Sequence, residues 1–362
     1  MTLNRRHVLA LGAAAAALPF TGAAEAASLD AMIGQMLMMG TLGASAESEW
    51  PQRLAQQIGA GQIGGVVLLG HNFKSRDGVA GMTAMFRKAQ GKTPVLISLD
   101  QEGGKVQRLG ARLGYGKIPT ARAIGSGSPE AAREVYGRMA KLVRQAGFNM
   151  NLGPCVDLGI NAANPVVGVT DRTYSADPSR VVAFGRAFVA AHRAEGVVTV
   201  LKHFPGHGSS SGDSHEGFVD ISKSWQPQEL EPFRQMIASG HADAIMPGHL
   251  LHKVMASDGD PVSISAAAIG KTLRKTLGYK GLVISDDLQM GAVRKNYTLE
   301  SALRRAINAG VDMVMVTNSA SPDQNLPGKL IAMVRGMVEK GDVSEARIKS
   351  AYARVIKAKA NV

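Results

Sequence analysis

The chain has 362 residues, of which 45% are hydrophobic and 19% are charged, a composition typical of a soluble globular protein that can bury a full core. The formal net charge is +12, but Lys and Arg are scattered over helical segments without a basic run of five or more. Nucleic-acid binding is therefore not indicated, and we expect a basic surface suited to anionic cell-wall polymers. The single cysteine, Cys155, excludes an intramolecular disulfide, and we expect a buried, unreactive thiol.

The first 26 residues have the pattern of a twin-arginine export signal. Arg5 and Arg6 precede an uncharged run over 8–20, which is shorter than the roughly 20 apolar residues that a membrane span needs. Residues 24–26, Ala-Glu-Ala, then supply the small residues of a cleavage site. We predict recognition by the twin-arginine export machinery, cleavage after Ala26, no stable membrane insertion afterwards, and a periplasmic or secreted protein. An uncleaved anchor is the alternative.

Beyond this segment, short apolar runs alternate with amphipathic segments. The apolar runs are bounded by Gly or polar residues, as buried parallel strands are. Eight of them are predicted strands, namely Met36–Met39, Gly65–Leu69, Val95–Asp100, Asn149–Val156, Val197–His203, Ala244–His249, Leu282–Asp286 and Asp312–Thr317. Amphipathic helices are predicted between them, for example over Ala131–Val143 and over Leu299–Ala309, where Gly310 is a helix stop.

Eight strands with intervening helices predict one α/β domain over 27–362, a single (β/α)8 TIM-type barrel with no second domain. The competing fold is a doubly wound open sheet. No Gly-x-Gly-x-x-Gly turn follows the first strands, which argues against the dinucleotide-binding version of that fold.

Catalytic residues of such barrels gather at the carboxyl ends of the strands. Ionisable residues stand there on four predicted strands: Asp100 on the third, Lys202 and His203 on the fifth, His249 on the sixth and Asp286 on the seventh. Each of them alone could be a helix cap or a hydrogen-bonding residue. Their common position on separate strands predicts an active site.

The densest polar stretch is Lys-His-Phe-Pro-Gly-His-Gly over 202–208, followed by Asp-Ser-His-Glu over 213–216. One interpretation is a zinc site in which His203 and His207 act with Asp213 or His215. Pro205 and the glycine after it interrupt the helix that such a histidine pair needs, which argues against zinc.

Two other interpretations of this stretch assign it to catalysis without a metal. Lys202 could form a Schiff base with a carbonyl substrate. Alternatively, Asp213 and His215 lie two residues apart in a loop over the barrel mouth, so that their side chains fall on the same side. A carboxylate beside an imidazole raises its basicity, which makes a general acid/base near neutral pH.

Four motifs of this sequence, taken in order, resemble those of the β-N-acetylglucosaminidase branch of glycoside hydrolase family 3. They are Leu99–Arg108 (LDQEGGKVQR), Asp171–Tyr174 (DRTY), the run over 202–208 with its Asp-x-His, and Ser285–Met290 (SDDLQM). The Asp-x-His loop is the feature that distinguishes the branch.

The resemblance implies a role for each matching position. Asp286 takes the position of the nucleophile, His215 that of the acid/base, and Asp213 orients His215. The residues implied to bind the sugar hydroxyls and the N-acetyl group are Asp100, Arg108, Arg172, Lys202 and His203, with His249 as a further residue lining the pocket. Asp287, next to the nucleophile, should point the other way from the strand end.

The resemblance further implies an exo-acting, retaining glycosidase. It would remove terminal non-reducing β-linked N-acetylglucosamine from peptidoglycan or chitin-type fragments through a covalent intermediate on Asp286. No metal or organic cofactor is implied. Because a neutral imidazole base does not repel anions, phosphorolysis at the same site is an alternative. The others are a β-glucosidase, a non-catalytic sugar-binding barrel and a metal-dependent hydrolase.

Overall fold

The structure is a computed structural model that describes residues 27–213, 216–360 and 362. The segment predicted to be an export signal, 1–26, and the predicted acid/base His215 lie outside the described residues. Within the described ranges, no helix combines the length and the apolar character that crossing a membrane requires.

Eight parallel strands form one sheet around the centre of the molecule. They are β1 Leu37–Gly40, β2 Gly65–Val67, β3 Leu96–Leu99, β4 Met150–Asn151, β5 Val198–Phe204, β6 Ala244–Pro247, β7 Leu282–Val283 and β8 Val314–Val316. Their order is β7-β6-β5-β4-β3-β2-β1-β8. The sheet curls so far that its two end strands are bridged between Ile284 and Met313, and the amide of Ser285 donates to the Met313 carbonyl at 3.0 Å. Each predicted strand is present with shifted or shortened bounds, and the predicted parallel α/β architecture is confirmed.

The described α-helices alternate with these strands. They are α1 Leu29–Gln35, α2 Glu49–Gly59, α3 Arg76–Ala89, α4 Ala121–Gly125, α5 Pro129–Gln145, α6 Pro178–Ala194, α7 Glu231–Ala238, α8 Gly291–Arg294, α9 Leu299–Ala309, α10 Leu326–Glu339 and α11 Glu345–Lys359, with a π-helix over Ala267–Thr276. The helix predicted over Ala131–Val143 lies inside α5, and the one predicted over Leu299–Ala309 is α9. Gly310 ends α9 with a φ of 113°, a left-handed conformation that favours glycine.

The strands separate an inner core from an outer core that packs against the helices. Because side chains of a strand alternate between its two faces, Val198 and Val200 face inward while Leu201 faces the helices. The inner core also contains Leu96 and Ile284. The remaining buried members of this inner core are Met38, Val67, Met150, Leu152, Ala244, Met246, Leu282, Met313, Met315 and Val355.

This alternation also places the polar residues that follow the inner core. Lys202 comes two residues after Val200, near the carboxyl end of β5, and Asp286 comes two residues after Ile284, beyond the end of β7, so both continue the inward face. Asp100 continues the series of Leu96 in the same way. Strand alternation thus places these three charged side chains on the inward face at the carboxyl end of the sheet.

The amino end of the sheet carries a buried cluster of charged groups of its own. Asp312, which is fully buried, accepts hydrogen bonds from the guanidinium groups of Arg274 at 2.5 Å, Arg347 at 2.9 Å and Arg354 at 3.2 Å. These contacts attach α11 and the π-helix to the beginning of β8. They stabilise the fold at the end opposite the polar residues described next.

Candidate active site

A pocket of about 450 Å³ opens at the carboxyl ends of the strands. Its floor consists of inner-core residues, among them Leu152, Met246 and Met315. Seven of the nine side chains predicted to form the site line this pocket: Asp100, Arg108, Arg172, Lys202, His203, Asp213 and Asp286. The structure therefore brings together residues from strands that are far apart in sequence.

Five charged side chains of alternating sign form a connected network in one wall of the pocket. The ammonium group of Lys202 lies 2.8 Å from Asp100 and 2.9 Å from Glu102. Arg172 donates from Nε and Nη2 to the two oxygens of Glu102, both at 2.8 Å, and Arg108 lies 3.3 Å from Asp100. Three cations face two carboxylates, so the network carries one net positive charge beside the pocket.

The pairing keeps these groups ionised despite their burial. Burial alone would raise the pKa of Asp100 and Glu102, but the neighbouring cations hold both pKa values below their ordinary range. Burial would lower the pKa of Lys202, yet Asp100 and Glu102 raise it above its ordinary value. A protonated amine held by two carboxylates is a poor nucleophile, so the geometry does not support a Schiff base on Lys202.

A second buried carboxylate organises the histidines of the polar stretch. Asp157 is fully buried, and it accepts hydrogen bonds from His203 Nδ1 at 2.8 Å and from the backbone amides of His203 and His207 at 3.1 and 2.8 Å. Burial would raise the pKa of Asp157, but His203 and the other donors lower it to about 2. Asp157 thus fixes the orientation of the His203 ring, whose side chain lines the pocket.

The surroundings of Asp157 do not match the zinc site considered from the sequence. Among the described residues, the group with metal-ligand spacing is Cys155, Asp157 and His203, and not the predicted set of His203, His207 and Asp213. The Cys155 thiol donates to Asp157 at 3.3 Å, and burial with the nearby Asp157 charge raises the pKa of Cys155 well above its ordinary value. The three groups are joined to one another by hydrogen bonds, from Cys155 and from His203 to the Asp157 carboxylate. Cys155 is buried, as predicted.

Asp286 is half-buried in the pocket, and its neighbour Asp287 is held in a different direction. The amide of Asp287 donates to Asp286 Oδ1 at 2.8 Å. The Asp287 carboxylate accepts hydrogen bonds from the Thr317 hydroxyl at 2.6 Å and from the Thr317 and Gln289 amides, both at 3.0 Å. Burial raises the pKa of Asp287, while these donors partly oppose the shift. Asp287 borders the pocket, but its carboxylate is directed to β8, in agreement with the structural role expected for it.

The prediction that His249 lines the pocket is wrong. The side chain is fully buried, and both ring nitrogens are engaged within the protein. Nδ1 lies 2.6 Å from the Ser263 hydroxyl, and Nε2 lies 3.0 Å from the backbone carbonyl of Asp287. The physical reason is that His249 follows the end of β6, where the Ser263 hydroxyl and the Asp287 carbonyl pair with both ring nitrogens and hold the ring inside the protein.

The loop that carries Asp213 is attached to the protein on both sides. Asn164 Nδ2 donates to the His207 carbonyl at 2.7 Å and to the Ser210 hydroxyl at 3.1 Å. On the far side, Lys295 Nζ donates to the Glu216 carbonyl at 2.6 Å. Asp213 itself lines the pocket.

Glu102, Asp157 and Thr317 are parts of the site that we did not predict as site residues. A signal for two of them exists in the sequence. Glu102 follows Asp100 by two positions, and Thr317 follows Met315 by two positions, so both continue the inward face of a strand. Asp157 has no comparable signal, because the chain between β4 and that residue is irregular.

Comparison with protein families gives a match over nearly the whole described chain. The model of the "Glycosyl hydrolase family 3 N terminal domain" matches residues 28–358. A β-hexosaminidase of Xylella fastidiosa (strain M23) is 37% identical over 294 residues, covering 78% of this chain and 83% of the relative. A β-hexosaminidase of Stenotrophomonas maltophilia (strain K279a) is 35% identical over 307 residues, covering 80% of this chain and 86% of the relative.

Two solved structures show the same similarity in three dimensions. A glycoside hydrolase family 3 β-N-acetylglucosaminidase from Paenibacillus sp. str. FPU-7 matches with a TM-score of 0.84 and 32% identity over 93% of this chain. This chain spans only 63% of that protein. A β-N-acetylhexosaminidase from Beutenbergia cavernae matches with a TM-score of 0.80 and 29% identity, covering 92% of this chain and 99% of the neighbour.

Proposed function

This chain belongs to glycosyl hydrolase family 3 and is a glycosidase of the β-hexosaminidase type, and we propose that it removes terminal non-reducing β-linked N-acetylglucosamine with retention of configuration. The observation that carries the proposal is the position of Asp286 in a pocket that is also lined by Asp100, Arg172 and Lys202 of the charged network. A pocket of about 450 Å³ lies within the range of small-ligand sites and suits a single sugar residue better than a long chain.

Asp286 is the proposed nucleophile. It stands on the inward face two residues beyond Ile284, and the amide of Asp287 holds one of its oxygens at 2.8 Å. An ionised carboxylate in this position can attack the anomeric carbon and form a covalent glycosyl-enzyme. Lys202 and Arg172 line the same pocket as Asp286 and belong to the network that carries one net positive charge.

His215 is the proposed acid/base, and Asp213 its orienting partner. The support for this assignment is the Asp-x-His sequence together with the position of Asp213 in the pocket lining. In the first step the imidazolium protonates the leaving oxygen, and in the second the neutral imidazole takes a proton from the attacking water. The imidazole of His215 thereby regains in the second step the proton that it lost in the first.

Asp100, Lys202, Arg172 and His203 are the proposed sugar-binding groups. They offer both donors and acceptors in a mostly buried wall, and each is positioned by a second protein group. Arg108, which is more exposed, would complete this wall nearer the entrance. Buried polar groups that bind a sugar hydroxyl discriminate strongly, because a substrate without that hydroxyl leaves them unpaired.

Three further assignments belong to the same proposal. We infer that the curled sheet is a closed (β/α)8 barrel forming one domain over 27–362; the bridge between Ile284 and Met313 supports closure. We also propose that residues 1–26 direct twin-arginine export and are removed after Ala26. The substrate would then be a peptidoglycan or chitin-type fragment outside the cytoplasm.

Turnover of 4-nitrophenyl β-N-acetylglucosaminide and of 4-nitrophenyl β-glucoside, each with and without phosphate, tests the proposal. We expect rapid release of N-acetylglucosamine, little release of glucose, and no N-acetylglucosamine 1-phosphate. Proton NMR of the first-formed product should show the β-anomer. An α-anomer would contradict the retaining mechanism, and preferred cleavage of the glucoside would contradict the specificity.

A further inference from the structure

The nucleophile Asp286 is linked to both neighbouring strand ends through a single residue, Asp287. The Asp287 amide donates to Asp286 Oδ1 at 2.8 Å. Its carboxylate is bound by the hydroxyl and the amide of Thr317, which follows β8. Its carbonyl accepts from His249 Nε2 at 3.0 Å, beyond the end of β6. All three polar groups of Asp287 are therefore engaged.

The ring of His249 is fixed by the groups around it. A carbonyl oxygen can only accept, so Nε2 must carry the hydrogen that points to Asp287. The Ser263 hydroxyl, 2.6 Å from Nδ1, completes the pairing of the buried ring. Because the ring is fully buried and both nitrogens are hydrogen-bonded inside the protein, His249 does not contact the substrate directly.

Thr317 is anchored from the other side. Its hydroxyl lies 2.6 Å from Asp287 and 2.9 Å from the Ser319 hydroxyl, and the side chain is almost fully buried. The threonine can therefore keep the Asp287 carboxylate in one orientation. Rigid groups that hold a reacting side chain by their own hydrogen bonds are a general requirement of preorganised catalytic sites.

We propose that His249, Asp287 and Thr317 are positioning residues that together fix the Asp287 amide as a hydrogen-bond donor to Asp286. The inference rests on the proposed function of Asp286 as the nucleophile. The fixed amide keeps the carboxylate plane aligned with the anomeric carbon during formation and hydrolysis of the ester. Its loss should lower kcat while leaving the binding of the sugar unchanged.

The central test replaces Thr317 and a matched threonine with valine. Thr317→Val removes one hydroxyl hydrogen bond to a carboxylate, of 2.6 Å. Thr199→Val removes the equivalent bond to Asp243, of 2.7 Å, from a threonine that is also buried but lies at the amino end of the sheet. Both variants lose the same kind of interaction, so a purely structural effect should be the same in both.

We expect Thr317→Val to lower kcat about tenfold, the effect of losing roughly one hydrogen bond in the transition state, with KM and the inhibition constant of N-acetylglucosamine within about twofold. Thr199→Val should leave kcat unchanged at a similar loss of thermal stability. Equal kcat values for the two variants would overturn the proposal.

A second pair of variants tests His249 independently. Glutamine can place an amide NH₂ near the position of Nε2, whereas leucine cannot donate. We expect His249→Leu to lower kcat about tenfold or more and His249→Gln to recover most of the loss. If the leucine variant does not fold, the kcat of His249→Gln and the comparison of Thr317→Val with Thr199→Val still test the positioning role. A kcat of His249→Leu equal to that of wild type would refute the role of His249.

The wild-type enzyme separates this inference from the proposed function. If wild type does not cleave the N-acetylglucosaminide but cleaves another glycoside, the proposed specificity fails, and the variants are compared on that glycoside. If wild type cleaves it and the threonine variants behave alike, only the positioning role fails.

Discussion

Replacement of Glu102 by glutamine tests whether the charged network of Asp100, Glu102, Arg108, Arg172 and Lys202 stabilises the fold and holds the pocket in its active geometry. The Glu102 side chain is 4% exposed and forms three contacts of 2.8–2.9 Å with Arg172 and Lys202. Glutamine keeps the shape but removes the charge and turns an amide NH₂ toward a cation. Breaking a buried ion pair by removing one partner costs about 3–5 kcal/mol, and because one amide oxygen remains we expect about 3 kcal/mol.

The matched control is Glu231→Gln. Glu231 pairs with Arg234 at 3.0 Å on the surface, where the two side chains are 36% and 51% exposed. Such a pair contributes about 0–1 kcal/mol. Urea unfolding should therefore separate the two variants by about 2 kcal/mol or more. The kcat/KM of Glu102→Gln should fall at least about tenfold, since Arg172 and Lys202 lose their common anchor, whereas Glu231→Gln should retain wild-type activity.

The pH dependence of the same variant supplies a check with a definite sign. The pKa of Glu102 is lower in the folded protein than its ordinary value of 4.5. Its contribution to stability is thus fully present above pH 4.5 and is lost as the pH falls toward the folded pKa. The difference in unfolding free energy between wild type and Glu102→Gln should be constant from pH 6 to 8 and should narrow below 4.5. A difference that widens in acid, or two glutamine variants of equal stability, would refute the reasoning.

Four other outcomes follow from the structure. Asp286→Ala should lower turnover by about 10³-fold or more with a Tm close to that of wild type; retained turnover of the aryl glycoside would end its assignment as nucleophile. Asp157→Asn removes the charge that orients His203, and steady-state kinetics should show a kcat/KM about 10–100-fold lower, whereas an unchanged value would contradict this role. Asp312→Asn should destabilise the protein by about 3–5 kcal/mol in urea while the folded enzyme keeps its kcat, because the three arginines lie at the opposite end of the sheet; loss of kcat without loss of stability would contradict that separation. Treatment with EDTA should leave activity unchanged, and a loss that zinc restores would favour the metal interpretation after all.

Strand content and the end of the sheet that carries the site could be predicted from the sequence. Runs such as Val197–His203 are apolar on both faces, which is the pattern of a strand buried between an interior and a layer of helices. Since parallel strands share one direction, residues that follow such runs must meet at one edge. That simple geometry explains why Asp100, Lys202 and Asp286 line one pocket.

Bounds of strands and the orientation of single side chains were less predictable. The pairing of β5 with β6 shifts between Lys202 and Phe204, so Lys202 and His203 both border the pocket although adjacent residues of a regular strand point apart. His249 is a second case, since it lies beyond the end of β6 and its ring is held by Ser263 and the Asp287 carbonyl rather than directed to the pocket. Such a shift in register depends on both paired strands, so the sequence of one strand does not reveal it.

The sequence by itself determined the class of fold, the family, and which residue types stand at the strand ends, because these depend on local pattern and on motifs within a few residues. Only the tertiary structure decided which charges touch. Glu102 meets Arg172 across 70 positions of chain, and Thr317 reaches Asp287 across 30. Such contacts arise when a curled sheet brings distant strands side by side, and burial then makes each pairing strong enough to matter.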